Sequence, residues 1–350
     1  STLFPYTTLF RSKLKEDFGY LTTYSDPKPT HPTTIMKLPD TDDPTVDIIG
    51  TKILHNKRDV YKKSNPHYHD GLKAGDVTLN ADILKLTLEV INKNRANKEE
   101  SYDSDVFLEE HVKFLMTPGS HNDSYADTCH YYFITNYLRG KPLRQCVADE
   151  NKDTACALAM KLVTPVLFAP LMDHLRKIKA KPEDKISVPK EVYDKCVDQA
   201  LQHLGLLFAG STIKKHTGSY CKTLLNVVLG KDLRKAIEED GDAVYGFNFP
   251  ELLEEGLDDL FVATKRFHIR CYTDGSLPLA YYLAYKYHND FDKATIVNCN
   301  LGGENLSRGG IVSGLVAAFN ENFKDDNKWI TEITRHKEFG KVFDEFLSLT

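Results

Sequence analysis

The stretch 298–319, "NCNLGGENLSRGGIVSGLVAAF", sets two glycine pairs around a lone acid, Glu304, and follows them with Gly, Ala, Ser and Val. Glycine reaches positive φ and lets another group come close to the backbone. A helix opening near Ser307 presents unpaired amides and the positive end of its dipole, where negative groups are favoured. Small residues at Gly310, Ser313, Gly314, Ala317 and Ala318 let a neighbour pack tightly against the helix. Two readings follow from these residues. One is a tight turn into a crowded buried helix, and the other is a backbone cradle for a ligand.

Working outward, helical spacing dominates. Ala81 to Lys93 places Leu84, Leu88 and Ile91 on one face, with Ile83 and Val90 beside it. Asp105 to Met116 follows Ser104, which is expected to cap it. Further helices are expected over Ser124–Leu138, Thr154–Phe168, Pro189–Leu207, Ile213–Leu229, Phe249–Ala263, Leu277–Tyr287, Asp292–Asn298, Arg308–Asn320 and around Trp329–Leu349. Few runs alternate with period two, and an α/β arrangement would need strands near Phe247 and Ile269. The expected fold class is therefore all-α. Residues 13–76 read as an irregular, proline-punctuated part and residues 77–350 as the helical part, with 13–350 forming one large domain.

The chain has 350 residues, 41% of them apolar, and a formal net charge of −5, which supplies none of the basic footprint that nucleic-acid binding needs. No apolar run approaches the ~20 residues of a membrane span. The most apolar window, Ala157 to Pro170, is broken by Pro165 and reads as core. Seven cysteines without a Cys-x-x-Cys pair point to small core residues in a reducing, cytoplasmic setting. The first twelve residues, "STLFPYTTLFRS", resemble a translated sequencing adapter, so the native N-terminus is expected to lie outside this sequence.

Three polar groups could carry chemistry. "HYHDG" offers His67, His69 and Asp70. "PGSHNDSYAD" offers His121, Asn122, Asp123 and Asp127; Asp123 or Ser124 is expected to cap the next helix, and His121 or Asp127 to reach a cleft. Arg308 beside the glycine turn reads either as a bidentate grip on a pyrophosphate or as a surface arginine.

From Thr273 to Asn320 the pattern resembles the C-terminal part of the ADP-ribosylglycohydrolase family, which includes the jellyfish J1 crystallins. That family has a Ser-x-Pro helix start, an Ala-rich helix, then Gly-Gly-Asp-Thr-Asp-Thr before a small-residue helix. The counterparts here are Ser276 and Pro278, Ala294, and Gly302, Gly303, Glu304, Asn305, Leu306 and Ser307. A second family signature, Thr-Asp-Asp-Thr, falls on Leu79, Asn80, Ala81 and Asp82, or one residue earlier with Thr78 and Asn80 on its first and third positions.

The resemblance implies an orthogonal helix bundle and two Mg²⁺ ions that orient a ribose and a water. It implies Glu304 and Asp127 as catalytic carboxylates. His69, His121, Asn122, Gly302, Gly303, Asn305 and Arg308 become substrate contacts, and Asn80, Glu304 and Ser307 the remaining metal ligands. The paired carboxylates are gone and Leu306 binds no metal, so at most one ion is expected.

The implied function is a divergent hydrolase cleaving a glycosidic linkage of ADP-ribose or a related ribosyl conjugate, with a weakened metal site. The alternatives are a non-catalytic module that binds ADP-ribose or a nucleotide, and a crystallin-like structural protein. No nucleic-acid or membrane partner is expected, and oligomeric state is left open.

Overall fold

The structure is a computed structural model that describes residues 5–28, 46–55, 57, 67–95, 100–147, 158–181, 187–270, 272–320, 323–324 and 326–349. Helix makes up 67% of the chain, and the described residues hold no strand, only an isolated bridge between Asp70 and Leu72. The chain is all-α, and Phe247 and Ile269 lie in connections.

In chain order the principal helices are α1 (Pro5–Phe18), α2 (Leu79–Arg95), α3 (Ser104–Met116), α4 (Thr128–Leu138), α5 (Thr164–Lys177) and α6 (Lys190–Leu207). They continue with α7 (Ser211–Val228), α8 (Leu233–Tyr245), α9 (Thr273–Lys286), α10 (Phe291–Leu301), α11 (Asn305–Phe319) and α12 (His336–Leu347). Short helical turns occur at Ile49–Ile53, Leu158–Leu162, Phe249–Glu254 and Asp259–Phe261.

The chain divides into two compact units, each assembled from three separated stretches. One comprises Ser1–Thr33, Thr154–Lys161 and Gly210–Lys328; the other comprises Thr34–Asp153, Leu162–Ala209 and Trp329–Thr350.

The first unit is built around α9, on which Thr273 and every residue from Gly275 to Tyr285 is buried. A helix apolar on all sides belongs in the middle of a bundle. Here α9 packs on α8 and α11, α7 packs on α8 and α11, and α10 packs on α11. Tyr281 reaches Thr223 Oγ1 at 3.1 Å and Ser219 Oγ at 3.3 Å, so its buried hydroxyl is paired. The segment after α1 is tied to α10 twice: Leu21 N donates to Asn300 Oδ1, and Asn300 Nδ2 donates to Leu21 O.

Helix α8 was absent from the expectation, which assigned no helix between Leu229 and Phe249. The helix accepts Gly241 for a packing reason: a Cβ there would lie 3.0 Å from the Tyr281 ring and 3.3 Å from Phe249.

In the second unit α2 packs on α3, α5 and α12, and α6 packs on α5 and α4. The buried stripe of α2 runs through Ile83, Leu86, Val90 and Ile91, while Leu84 stays half-buried.

Two expected caps are corrected. Asp103, not Ser104, caps α3 by accepting from Asp105 N and Val106 N. The Ser104 hydroxyl instead accepts from Arg144 Nη2 at 2.7 Å. Helix α4 begins at Thr128, so neither Asp123 nor Ser124 caps it. Over the described part of the helix expected at Thr154–Phe168, the structure has two helices, Leu158–Leu162 and α5, and Pro165 belongs to the second. It sits in the first turn of α5, where its missing N–H costs nothing, and the interruption falls at Val163.

Cys129, Cys146, Cys196 and Cys221 are buried, and Cys299 is half-buried. Cys156 and Cys271 lie outside the described residues, as do residues 1–4 and 29–45. Among the described residues no helix is long and apolar enough to cross a membrane.

Candidate functional site

The glycine turn of the first unit is a junction between α10 and α11. Gly302 ends α10 at φ +69°, and Gly303 follows at φ +68°. A Cβ on Gly303 would sit 2.0 Å from the carbonyl oxygen of Ile269, the same oxygen that accepts from Glu304 N at 2.9 Å. Glu304 then caps α11, its carboxylate accepting from Ser307 N at 3.0 Å. A carboxylate at a helix N-terminus satisfies an orphan amide and meets the positive dipole end.

Arg308 is fully buried, which removes the surface-arginine reading. Its Nε donates to Asn298 Oδ1 at 2.7 Å, and its Nη2 donates to the carbonyls of Asn298 and Gly302 at 3.2 and 2.9 Å. These groups close α10, where unpaired carbonyls attract a cation. Burial pushes the guanidinium down to about 10, against the pull of Glu304. Asn298 Nδ2 donates to Asn305 O, and Asn305 Nδ2 donates to Cys299 O. Small residues along α11 fill a packing role as well: Gly310 faces the stem of Lys161, and Ser313 lies 3.3 Å from Thr295 Oγ1.

The second unit gathers the other predicted residues around the start of α2. Asp123 is buried; Oδ2 accepts from Leu79 N at 2.8 Å, and Oδ1 meets His69 Nδ1 at 2.8 Å and Tyr125 N at 3.1 Å. It thus caps α2, 44 residues away in sequence, rather than the helix that follows it. His121 is buried, with Nε2 donating to Ile53 O at 2.9 Å, and burial lowers its pKa. Lys57 donates to the carbonyls of His121 and Asp123, each at 3.2 Å. Asn122 is exposed and His69 half-buried. His67 Nδ1 accepts from His69 N at 3.0 Å, so the His67 imidazole is held by the local turn, while that of His69 is held by Asp123. Burial, then the charge of His69, depresses His67 to about 4.

Asn80, buried in the first turn of α2, donates from Nδ2 to Asp127 Oδ2 at 2.7 Å. Its Oδ1 faces His130 Nε2 at 3.2 Å. Behind His130 stands His111, with ring centroids 5.2 Å apart, and both are fully buried. Asp127 itself is half-buried, with its carboxylate facing the Asn80 amide. Asp82 pairs with Arg335 at 2.6 Å across 253 residues of sequence, and burial raises its pKa in spite of that partner.

The structure therefore brings Asn80, Asp127, His69, His121 and Asn122 into the second unit, and Gly302, Gly303, Glu304, Asn305, Ser307 and Arg308 into the first. His130, Lys57 and Arg335 were missed by sequence reasoning. His130 sits in "CHYYF" with no motif around it, and only the fold supplies its partner.

Mg²⁺ needs several oxygen ligands in octahedral geometry. At the start of α2, Asn80 has committed its carbonyl oxygen to His130 and Asp82 has committed an oxygen to Arg335. Among the described residues no group of three or more His, Cys, Asp or Glu side chains is placed to hold a metal ion. The donor set in the second unit does not fit the divalent clamp. Scanned against models of known protein families the chain gives no match, and no curated protein matches it either.

Proposed function

We propose that this chain is a divergent ADP-ribosylglycohydrolase-like hydrolase that opens a glycosidic linkage of ADP-ribose, or of a related ribosyl conjugate, with Asp127 as its acid–base group. The observation that carries the reading is the Asp127 carboxylate, half-exposed and oriented through Asn80. General acid–base chemistry needs a carboxylate within hydrogen-bond reach of the reacting water. Asp127 takes a proton from that water as its oxygen bonds to ribose C1′. The bond from C1′ to the carrier atom breaks with its electrons on the carrier, which takes the proton back from Asp127. No step in this scheme passes through a metal.

The test is release of ADP-ribose from peptides modified through serine and through arginine, assayed with and without Mg²⁺. Turnover by the parent chain that falls about a hundredfold in Asp127→Asn is the expected result, the scale of a lost acid–base group. Absence of turnover on both linkages overturns the hydrolase.

One observation favours a second reading, a module that binds ADP-ribose without cleaving it. The resemblance places paired carboxylates where this chain has a buried amide, Asn80, followed by Ala81, and the nearby Asp82 is held by Arg335. Saturable ADP-ribose binding without turnover on either linkage is the result that selects it.

A further inference from the structure

We propose that His130 is a positioning residue: its buried Nε2–H fixes the Asn80 amide, which then presents Nδ2–H to Asp127 and holds that carboxylate in one orientation. This rests on the reading of Asp127 given above.

Asp127 is the acceptor end of this row of side chains. A carboxylate oxygen accepts and cannot donate when ionised, so the Asn80 group facing Asp127 Oδ2 at 2.7 Å must be the NH₂. Its carbonyl oxygen then points at His130, and Nε2 at 3.2 Å must carry the proton. The ring is thereby set as the neutral Nε2–H tautomer.

Its surroundings enforce that choice. Among the described residues His130 Nδ1 has no partner, and neither ring nitrogen of His111 has one. His111 lies between Phe107, at a stacked 5.3 Å, and Phe133, at an edge-on 5.4 Å. Among the described residues no acceptor bonds His130 Nδ1 and draws the proton off the side facing Asn80. Asn80 is itself buried, so rotating its amide would place NH₂ against a ring N–H and a carbonyl against a carboxylate, each a repulsive pair. A buried polar file satisfied at each contact is rigid for that reason.

The experiment uses the full chain and two substitutions. His130→Gln keeps an N–H donor near the position of Nε2, whereas His130→Phe keeps the ring volume and removes the donor. The first readout needs no activity: ¹⁵N spectra of the histidine rings, and hydrogen exchange of the Asn80 side-chain amide, assigned by its loss in Asn80→Ala. The proton on Nε2 of His130, with slow Asn80 exchange that becomes fast in His130→Phe and stays slow in His130→Gln, is expected. A proton on Nδ1, or Asn80 exchange unchanged in His130→Phe, overturns the inference.

The second readout is ADP-ribose release. His130→Phe should lower kcat about tenfold, the scale of one lost hydrogen bond, with KM within about twofold, and His130→Gln should recover most of it. Equal loss in both substitutions also overturns the inference. A parent chain that turns nothing over while its Asn80 amide shows the expected protection refutes the hydrolase reading and leaves the positioning intact.

Discussion

Arg308 and Asn298 are joined twice: Nε donates to the Asn298 side-chain oxygen at 2.7 Å, and Nη2 to its backbone oxygen at 3.2 Å. A third bond, to Gly302 O, makes this one side chain the closure of α10. Arg308→Met keeps the apolar stem but strands three buried acceptors, each costing about 1–3 kcal/mol when left unpaired. A loss of at least about 3 kcal/mol is expected by urea unfolding. A loss under about 1 kcal/mol would show that the guanidinium does not hold the turn.

Gly303→Ala should be among the costliest single-methyl additions in the chain. It combines φ +68° with a Cβ position 2.0 Å from Ile269 O. Gly230→Ala, at φ +93° with nothing within 4 Å, separates the two effects. Backbone strain alone is about 1–2 kcal/mol, so Gly230→Ala should fall in that range and Gly303→Ala well above it. Thermal melts of the pair decide this, and equal losses would remove the close approach from the argument.

The buried imidazoles of the second unit make it acid-sensitive. Burial drives His203 to about 3, and it drives His111 well below the usual value, with the charges of His130 and His203 adding to the effect. The groups facing them are the Tyr102 hydroxyl, Phe107, Phe133 and His130. Folded, both rings stay neutral; unfolded, each takes a proton below about pH 6.5. Their contribution is therefore complete above about pH 6.5 and is lost as pH falls toward 3, by up to about 1.4 kcal/mol per pH unit for each ring. His111 makes no hydrogen bond among the described residues, so His111→Leu should flatten the pH dependence by about one proton without destabilising the chain at pH 7. An unchanged slope between pH 4 and pH 6 would refute this.

Helix α12 is held by side chains that reach its last carbonyls. Arg176 donates to Phe346 O and to Ser348 O, and Arg95 Nη1 donates to Glu345 O. Cations at a helix C-terminus satisfy orphan carbonyls and meet the negative dipole end. Arg176→Ala should release α12 locally, seen as faster proteolysis near residues 332–335 while the urea midpoint moves little. Protection equal to that of the parent chain would count against the tether.

The helices were legible where apolar residues recur at helical spacing over a long run, as in α2, α6 and α7. The glycine turn was also legible, and its contacts are those of a tight turn into a crowded helix: Gly303 is demanded by Ile269, and Glu304 is a cap. Contacts that skip long stretches left no local trace. Asp123 belongs to Leu79, Asp82 to Arg335 and Asn80 to His130, and each pairing is decided by tertiary packing. Helix α8 was hidden because Gly241 lowers helix propensity, and only the Tyr281 ring explains why no side chain is there.

The interleaving of the two units bears on synthesis. Leu21 finds its partner Asn300 only after 279 further residues have been made, and Asp82 waits 253 residues for Arg335. Neither unit corresponds to a contiguous stretch that could mature while the remainder is still on the ribosome. Closing such long loops carries an entropic cost that slows folding. During translation the nascent chain therefore carries exposed apolar helix faces for most of its length, which makes it a natural client for chaperones and a poor subject for dissection into separately expressed fragments.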